Sequence, residues 1–218
     1  MIDIIQTKDS SELLENLPEE LPILPLRNTV AFPFSIMPLT IGIPRSEKLI
    51  EDAIKGNKLI GLVASRDASL EEPQPGQVHD IGSVASVSRV FKSPENTMNV
   101  VVQGLERFRV DHWTQTQPYL MARISLIPER TEDSIEMEAL VHSLRELAKE
   151  IVKISPNWPD NLANFLDQVR DPRYLAYIAA GNSGMGMAEA QGLLEADDVK
   201  DKLKLSLIHI SEPTRLRR

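Results

Sequence analysis

The sequence predicts an α+β protein in which a small β-barrel of about six strands and one helix precedes an α-helical bundle. Up to residue 128, prolines and short extended runs with period-two alternation are typical of strands. Beyond residue 129, apolar residues recur at helical spacing instead. A charged stretch at residues 128–133 separates the two parts and is typical of an inter-domain linker.

Composition narrows the class of protein. A chain of 218 residues can form one large domain or two modest ones, and its 42% hydrophobic and 26% charged residues are ordinary for a globular protein. The formal charge of −8 argues against a general nucleic-acid binder, which needs positive charge to displace counterions from phosphates. No apolar run could span a bilayer and the acidic start is not a secretory signal, so we expect a cytoplasmic protein without membrane contact.

The barrel is expected over residues 21–128, after an acidic and flexible leader, residues 1–20. Its strand candidates are short apolar or alternating runs: residues 23–26, 30–34, 36–43, 59–64, 84–91, 98–110 and 119–127. The first three contain prolines, which cannot donate to a sheet ladder and therefore indicate edge or bent strands. Gly104 lies within the longest run and indicates a bulge or a close approach of another backbone segment.

The barrel's helix is predicted between residues 44 and 57. Four apolar residues share one helical stripe there, and Gly56 is suited to end the helix: Leu49, Ile50, Ala53 and Ile54. A polar, acidic loop is expected at residues 66–80 and a turn at residues 93–96.

The helical bundle is expected over residues 129–205. A heptad-spaced stripe predicts its first helix: Met137, Leu140, Leu144, Leu147, Ile151 and Ile154. We expect this stripe to pack against the following helices and not against a second chain. Pro156 should end the helix, and Pro159 and the Asp171-Pro172 pair should begin the next two. Residues 206–218 carry three arginines after an acidic helix, and we interpret them as a non-native extension, left by cloning or read-through, outside the fold.

The sequence offers no catalytic, cofactor-binding or metal-binding site. Gly181 and Gly186 have the spacing of a phosphate-binding loop, but Met187 and Ala188 stand where a lysine and a hydroxyl are required. The histidines lie far apart outside any hydrolase motif, and there is no cysteine to serve as a nucleophile or a ligand. These observations predict a non-catalytic binding protein without a cofactor.

Four linked motifs resemble the N-terminal domain of Lon, the ATP-dependent protease. They are Leu21–Gly42 (LPILPLRNTVAFPFSIMPLTIG), Asp80–Ala85 (DIGSVA), Val102–Val110 (VQGLERFRV) and Pro118–Arg123 (PYLMAR). In the helical part, Gln191–Glu195 and Asp198–Leu203 are similar to the close of that region. The resemblance extends over about residues 20–205.

This resemblance implies a PUA-like β-barrel followed by a helical bundle, which in the family lead into an AAA+ ATPase module and a Ser–Lys protease module that use ATP and Mg²⁺. It implies that this region binds unfolded or damaged protein substrates and supports hexamer assembly with other Lon subunits, without catalysis of its own. One alternative is a self-standing Lon-domain protein, although such proteins carry IFEPRY where residues 41–46 read IGIPRS. Another is an RNA-binding PUA-like domain, which the acidic charge disfavours.

Capture of unfolded chains requires exposed apolar surface. The predicted source is the segment that carries Phe32, Phe34, Ile36 and Met37, together with the turn around Met98. Phe34 is the preferred anchor because Pro33 restricts the backbone beside it. The alternative is that Phe32 and Ile36 fill the barrel interior.

Overall fold

The computed structural model of the chain describes residues 13–92, 97–154 and 162–211. The predictions for residues 1–12, the turn at 93–96, the proline signals at Pro156 and Pro159, and residues 212–218 lie outside the described residues. The α+β class is confirmed, because a six-stranded sheet is followed by helices. The chain divides into two compact units, Met1–Ile127 and Pro128–Arg218.

The first unit is a ring of strands. Its elements are β1 (Glu20–Leu26), β2 (Ile36–Ile41), α1 (Pro44–Lys55), β3 (Leu59–Ala64), β4 (Ile81–Lys92), β5 (Met98–Gln115) and β6 (Leu120–Leu126). The strand order is β2-β5-β4-β3-β1-β6, and β5 also pairs with β6, so five strands close a ring and β2 extends it beside β5. The 18 residues of β5 make this closure possible, because its first part pairs with β2 and its last part with β6.

Strand β1 lies within the ring although it contains Pro22 and Pro25. It pairs antiparallel with β6 through Glu20–Ile23 and parallel with β3 through Ile23–Leu26. Each half of the strand therefore has one partner strand. Because only one side of each half is paired, the strand tolerates the absence of N–H donors at the two prolines.

Residues 30–34 do not form the predicted strand. Phe34 has a φ of 63°, its N–H donates to the carbonyl of Gly104 at 3.0 Å, and the N–H of Gly104 donates to the carbonyl of Ser35 at 2.8 Å. A Cβ on Gly104 would lie 2.2 Å from the carbonyl oxygen of Phe32. The predicted close approach at Gly104 is thus confirmed, and a register shift of the β4–β5 pair next to Ala85 adds the predicted bulge.

Two apolar clusters fill the ring. One lies beneath α1 and contains Leu49, Ile50 and Ala53, whereas Ile54 from the same predicted stripe is 37% exposed. The other centres on Phe108. Leucines of the predicted leader, Leu13, Leu14 and Leu17, are half-buried against this second cluster. The described end of the leader therefore packs on the barrel and is not the flexible segment that we expected.

The second unit consists of helices: α2 (Ile135–Ile154), α3 (Leu162–Gln168), α4 (Pro172–Asn182), α5 (Met187–Glu195) and α6 (Val199–Ser211). Asp171 caps α4, because its Oδ1 accepts from the N–H of Arg173 at 2.9 Å, and Pro172 occupies the first turn as predicted.

The stripe of α2 packs within the chain. Met137 and Leu144 of the stripe are buried, together with Ala148 and Val152 beside it, while Leu140, Leu147 and Ile151 are half-buried in the same cluster. The side chain of Ile154 lies outside the described residues. The partners come from the later helices, as expected. The deepest positions follow the spacing of an ordinary straight helix and not the heptad seam, which is typical of packing against several helices.

Helix α6 continues past residue 205, where we expected the fold to end. The hydroxyl of Ser206 is buried and donates to the carbonyl of Ala176 at 3.2 Å, and Ile210 belongs to the helical core. The helix continues because its buried positions recur at helical spacing beyond residue 205: Val199, Leu203, Ser206 and Ile210. Residues 206–211 are therefore part of the helical unit.

The charged stretch at 128–133 is anchored at its start. The N–H of Arg130 donates to the carbonyl of Asp197 at 2.9 Å, and the carbonyl of Arg130 accepts from Val199 at 3.1 Å. The side chain of Glu129 is fully buried. Residues 131–133 are exposed, but because Glu129 and Arg130 are already held in the second unit, they form a loop of that unit and not the inter-domain linker that the sequence indicated.

Candidate functional site

Two of the predicted binding residues are buried. Phe32 is 5% exposed and Met98 is 3% exposed. Met98 begins β5, pairs with Ile41 and Lys92, and packs beneath α1. Both side chains contribute to the interior, so the candidate surface narrows to Phe34, Ile36 and Met37.

These three residues follow an unusual turn. Phe34 adopts the left-handed backbone conformation, which costs a non-glycine residue about 1–3 kcal/mol. The turn is held by the Ser35 hydroxyl, which donates to the carbonyl of Phe32 at 2.6 Å, and by the Ser83 hydroxyl, which donates to the carbonyl of Ala31 at 2.7 Å. The strained conformation interrupts the alternation that would otherwise direct Phe34 and Ile36 to one face of a strand. Phe34 is consequently half-buried and Ile36 is 50% exposed.

Ile36 faces the outside of the β2-β5-β4 part of the sheet, where apolar side chains lie among the polar side chains of Thr40, Arg89, Asn99 and Gln103. On this side Pro38 is exposed opposite Val101, which is half-buried, and Phe91 is 55% exposed opposite Asn99. We define Ile36, Pro38, Val101 and Phe91 as the outer apolar face. Met37 has the opposite orientation and is half-buried against the cluster beneath α1.

Phe91 is not among the binding residues that the sequence predicts. By simple alternation along β4, Phe91 shares parity with Ala85 and Val87, both of which are buried. A register shift between Val87 and Arg89 reverses the alternation, so that Val90 packs inward and Phe91 faces outward. No local sequence signal marks this bulge.

Two kinds of feature were sought among the described residues: clusters of metal-ligating side chains and membrane-spanning helices. No group of three or more His, Asp or Glu side chains in the described part of the chain is arranged as a metal site. Among the helices of residues 13–92, 97–154 and 162–211, none is both long and apolar enough to cross a bilayer.

Comparison with known proteins identifies relatives over most of the chain. The family model of the ATP-dependent protease La (LON) substrate-binding domain matches residues 20–212. The chain is 37% identical to the Lon protease of Dictyoglomus thermophilum over 190 residues, and 40% identical to Lon protease 2 of Sorangium cellulosum over 193 residues. In both cases 87% of this chain is aligned with 24% of the relative, so the chain spans about a quarter of the length of these proteins.

Solved structures support the fold. The N-terminal domain of the Mycobacterium avium complex Lon protease superposes with a TM-score of 0.72 at 20% identity, over 89% of this chain and 99% of that domain. A Lon N-terminal domain protein from Xanthomonas campestris superposes with a TM-score of 0.63 at 17% identity, over 87% of this chain and 97% of that protein.

Proposed function

This chain belongs to the family of Lon substrate-binding domains, and from that premise we propose that its barrel binds unfolded or damaged protein chains for a Lon-type protease through the outer apolar face and the adjacent Phe34, without Met37, which packs on the other side of the sheet. The observation that carries the proposal is the exposure of two large apolar side chains, Ile36 and Phe91, on one side of the sheet. Unfolded chains expose apolar side chains that native proteins bury, so such a surface distinguishes the two.

One copy of the face should bind weakly. It offers four apolar side chains, two of them exposed and large, and the ordering of a flexible chain offsets much of the gain from burying them. We also propose that the domain supports assembly with other Lon subunits. Repetition of the face in a hexamer would raise the effective concentration of binding sites without any new contact. The proposal assigns substrate binding to these residues and no catalytic step.

A binding titration tests the proposal. A fluorescently labelled model protein, reduced and alkylated with iodoacetamide so that it stays unfolded, is titrated with the chain and followed by anisotropy. We expect binding in the micromolar range or weaker that changes little between about 0.05 and 0.5 M salt, because the contacts are apolar. The native form of the same model protein should not bind.

The variant I36S/F91S removes the two large exposed side chains of the outer apolar face and should weaken binding at least about fivefold. Ile54→Ser is the matched control, since Ile54 is also exposed but lies on α1. Equal binding by the parent and I36S/F91S would refute the assignment of the face.

A further inference from the structure

A cavity of about 550 Å³ lies at the N-terminal end of α1. Three segments line it: residues 24–29 from the end of β1 onward, residues 39–46 from β2 into α1, and residues 71–73 from the long polar loop. Its volume is within the range of pockets that bind small molecules or peptide side chains, about 300–1,000 Å³. Leucine and isoleucine side chains from β1 and β2 form part of the wall.

Arg45 lines this cavity, and two buried nitrogens of its guanidinium have no hydrogen-bond acceptor. The side chain of Arg45 is only 8% exposed, and neither Nη1 nor Nη2 has a hydrogen-bond partner among the residues that the structure describes. Glu72, which also lines the cavity, places its Oε2 at 3.9 Å from Nη1, which is beyond hydrogen-bond distance. Buried polar groups are almost always hydrogen-bonded, so an arginine in this state indicates that an acceptor is missing.

The end of α1 adds to the positive character of the cavity. Pro44 occupies the first turn, and Ile43 at the N-cap provides no side-chain acceptor. Pro44 has no N–H, and the N–H groups of Ser46 and Glu47 already donate to the carbonyl of Ile43 at 2.9 and 3.0 Å, so the helix contributes mainly its dipole, which favours negative charge there. Arg45 and the N-terminal end of α1 therefore both favour an anion in the same cavity.

We propose that this cavity binds a carboxylate of a polypeptide, with the guanidinium of Arg45 donating two hydrogen bonds to its two oxygens. The carboxylate comes from an acidic side chain or from the C-terminus of the bound chain, and the apolar wall accommodates the neighbouring side chain. A monoanion fits better than a phosphate, because Glu71 and Glu72 at the lining repel a second negative charge. The inference rests on the proposed function, since the ligand is part of a protein substrate, but it concerns a site separate from the outer apolar face.

Glu72 has a defined part in this proposal. Its carboxylate is the nearest acceptor to Arg45 and is half exposed, so a bound carboxylate replaces it and the Glu72 side chain turns toward solvent. Removal of the Glu72 charge should therefore strengthen binding, whereas removal of the Arg45 charge should abolish it.

Four labelled peptides of one otherwise uncharged sequence test the proposal by anisotropy with the full chain. The first has a free C-terminus, the second a C-terminal amide, the third an amide and one internal glutamate, and the fourth an amide and glutamine in that place. We expect the first or the third peptide to bind at least tenfold more tightly than its neutral counterpart. The pair that shows the difference identifies the C-terminal or the side-chain source. Equal binding of all four peptides by the parent would overturn the proposal.

Variants assign the effect to the cavity. Arg45→Met keeps an unbranched apolar side chain but removes the guanidinium, so it should lose the preference for carboxylate, whereas Arg109→Gln, which removes an exposed arginine from β5, should retain it. Glu72→Gln should bind the preferred peptide severalfold more tightly. An unchanged preference in Arg45→Met, or weaker binding in Glu72→Gln, would refute the site.

Two further measurements keep the outcomes separable. If Arg45→Met does not fold, an NMR titration of the parent replaces it. The guanidinium signals of Arg45 should shift on addition of the preferred peptide, and unchanged signals would refute the site. I36S/F91S should bind the carboxylate peptides like the parent. A negative result in the peptide titrations would therefore refute the carboxylate site without affecting the proposal for the outer apolar face. Unchanged binding of unfolded protein by I36S/F91S would refute that face without affecting the carboxylate site.

Discussion

Replacement of Glu129 by glutamine should destabilise the helical unit, because Glu129 is a buried carboxylate that faces two cations. Its Oε1 lies 3.6 Å from Nζ of Lys202, its Oε2 lies 3.4 Å from Nη1 of Arg173, and the hydroxyl of Tyr177 donates to Oε1. The side chains of Glu129 and Lys202 are both fully buried. Glutamine keeps the shape and one acceptor oxygen but removes the charge that compensates Lys202.

The expected loss follows from what remains around Lys202. Removal of one partner of a buried ion pair costs about 3–5 kcal/mol, because the other charge stays buried without compensation. Lys202 still donates to the carbonyls of Leu193 and Leu194 at 2.7 and 3.1 Å, and it lies 5.0 Å from the ring centre of Tyr177. These dipolar contacts place the loss at the lower end, about 3 kcal/mol.

Urea unfolding, followed by helical circular dichroism and by hydrogen exchange in α4 and α6, measures the effect. With a urea slope of about 1–3 kcal/mol per M, the midpoint should fall by about 1–3 M. Glu136→Gln is the matched control, because Glu136 pairs with Lys204 at 2.8 Å on the surface and its loss should be barely detectable. The double variant E129Q/K202M should recover about 1–3 kcal/mol relative to the sum of the single changes. An unchanged midpoint in Glu129→Gln would show that Lys202 does not depend on this carboxylate.

Three further changes have expected outcomes. Leu144→Ala should lower the free energy of unfolding by about 2–5 kcal/mol, because Leu144 is fully buried in the helical core. Leu147→Ala should lower it less, because Leu147 is half-buried, and equal losses in urea titrations would contradict this burial order. Gly104→Ala should destabilise the barrel, because the new Cβ would collide with the carbonyl of Phe32, and an unaltered thermal midpoint would exclude the collision. Burial raises the pKa of Tyr174 above 10.0, so its contribution to stability is complete below pH 10 and is lost as the pH rises through the folded-state pKa. The stability difference between the parent and Tyr174→Phe should therefore change above about pH 10, and a constant difference up to pH 11 would contradict this shift.

Local patterns predicted the elements whose structure depends on near neighbours. Strand β3 has the predicted bounds, because a continuous apolar run is buried on both faces. The stripe of α1 and the Asp171-Pro172 start of α4 depend on residues within one or two turns. Each of these signals is complete within a short window of sequence.

The remaining features depend on contacts between distant residues. The turn at Phe34 exists because Gly104, seventy positions later, lets two backbone segments approach closely. Phe91 faces outward because of a bulge, and Glu129 is buried because Lys202 lies beside it. In the sequence, Glu129 and Arg45 are charged residues of the kind that is mostly exposed, so their burial could not be predicted. The candidate site was therefore predicted only in part.

The length of β5 also determines how the barrel responds to thermal agitation. This one strand contributes Val100 and Val102 to the cluster beneath α1, and Phe108 and Val110 to the cluster at the other end of the ring. Detachment of β5 would remove buried side chains from both clusters at once. We therefore expect the barrel to unfold as one cooperative block. During synthesis on the ribosome, the ring cannot close until β5 and β6 have emerged. The strands before residue 98 keep unpaired edges until then, and unpaired edges favour aggregation.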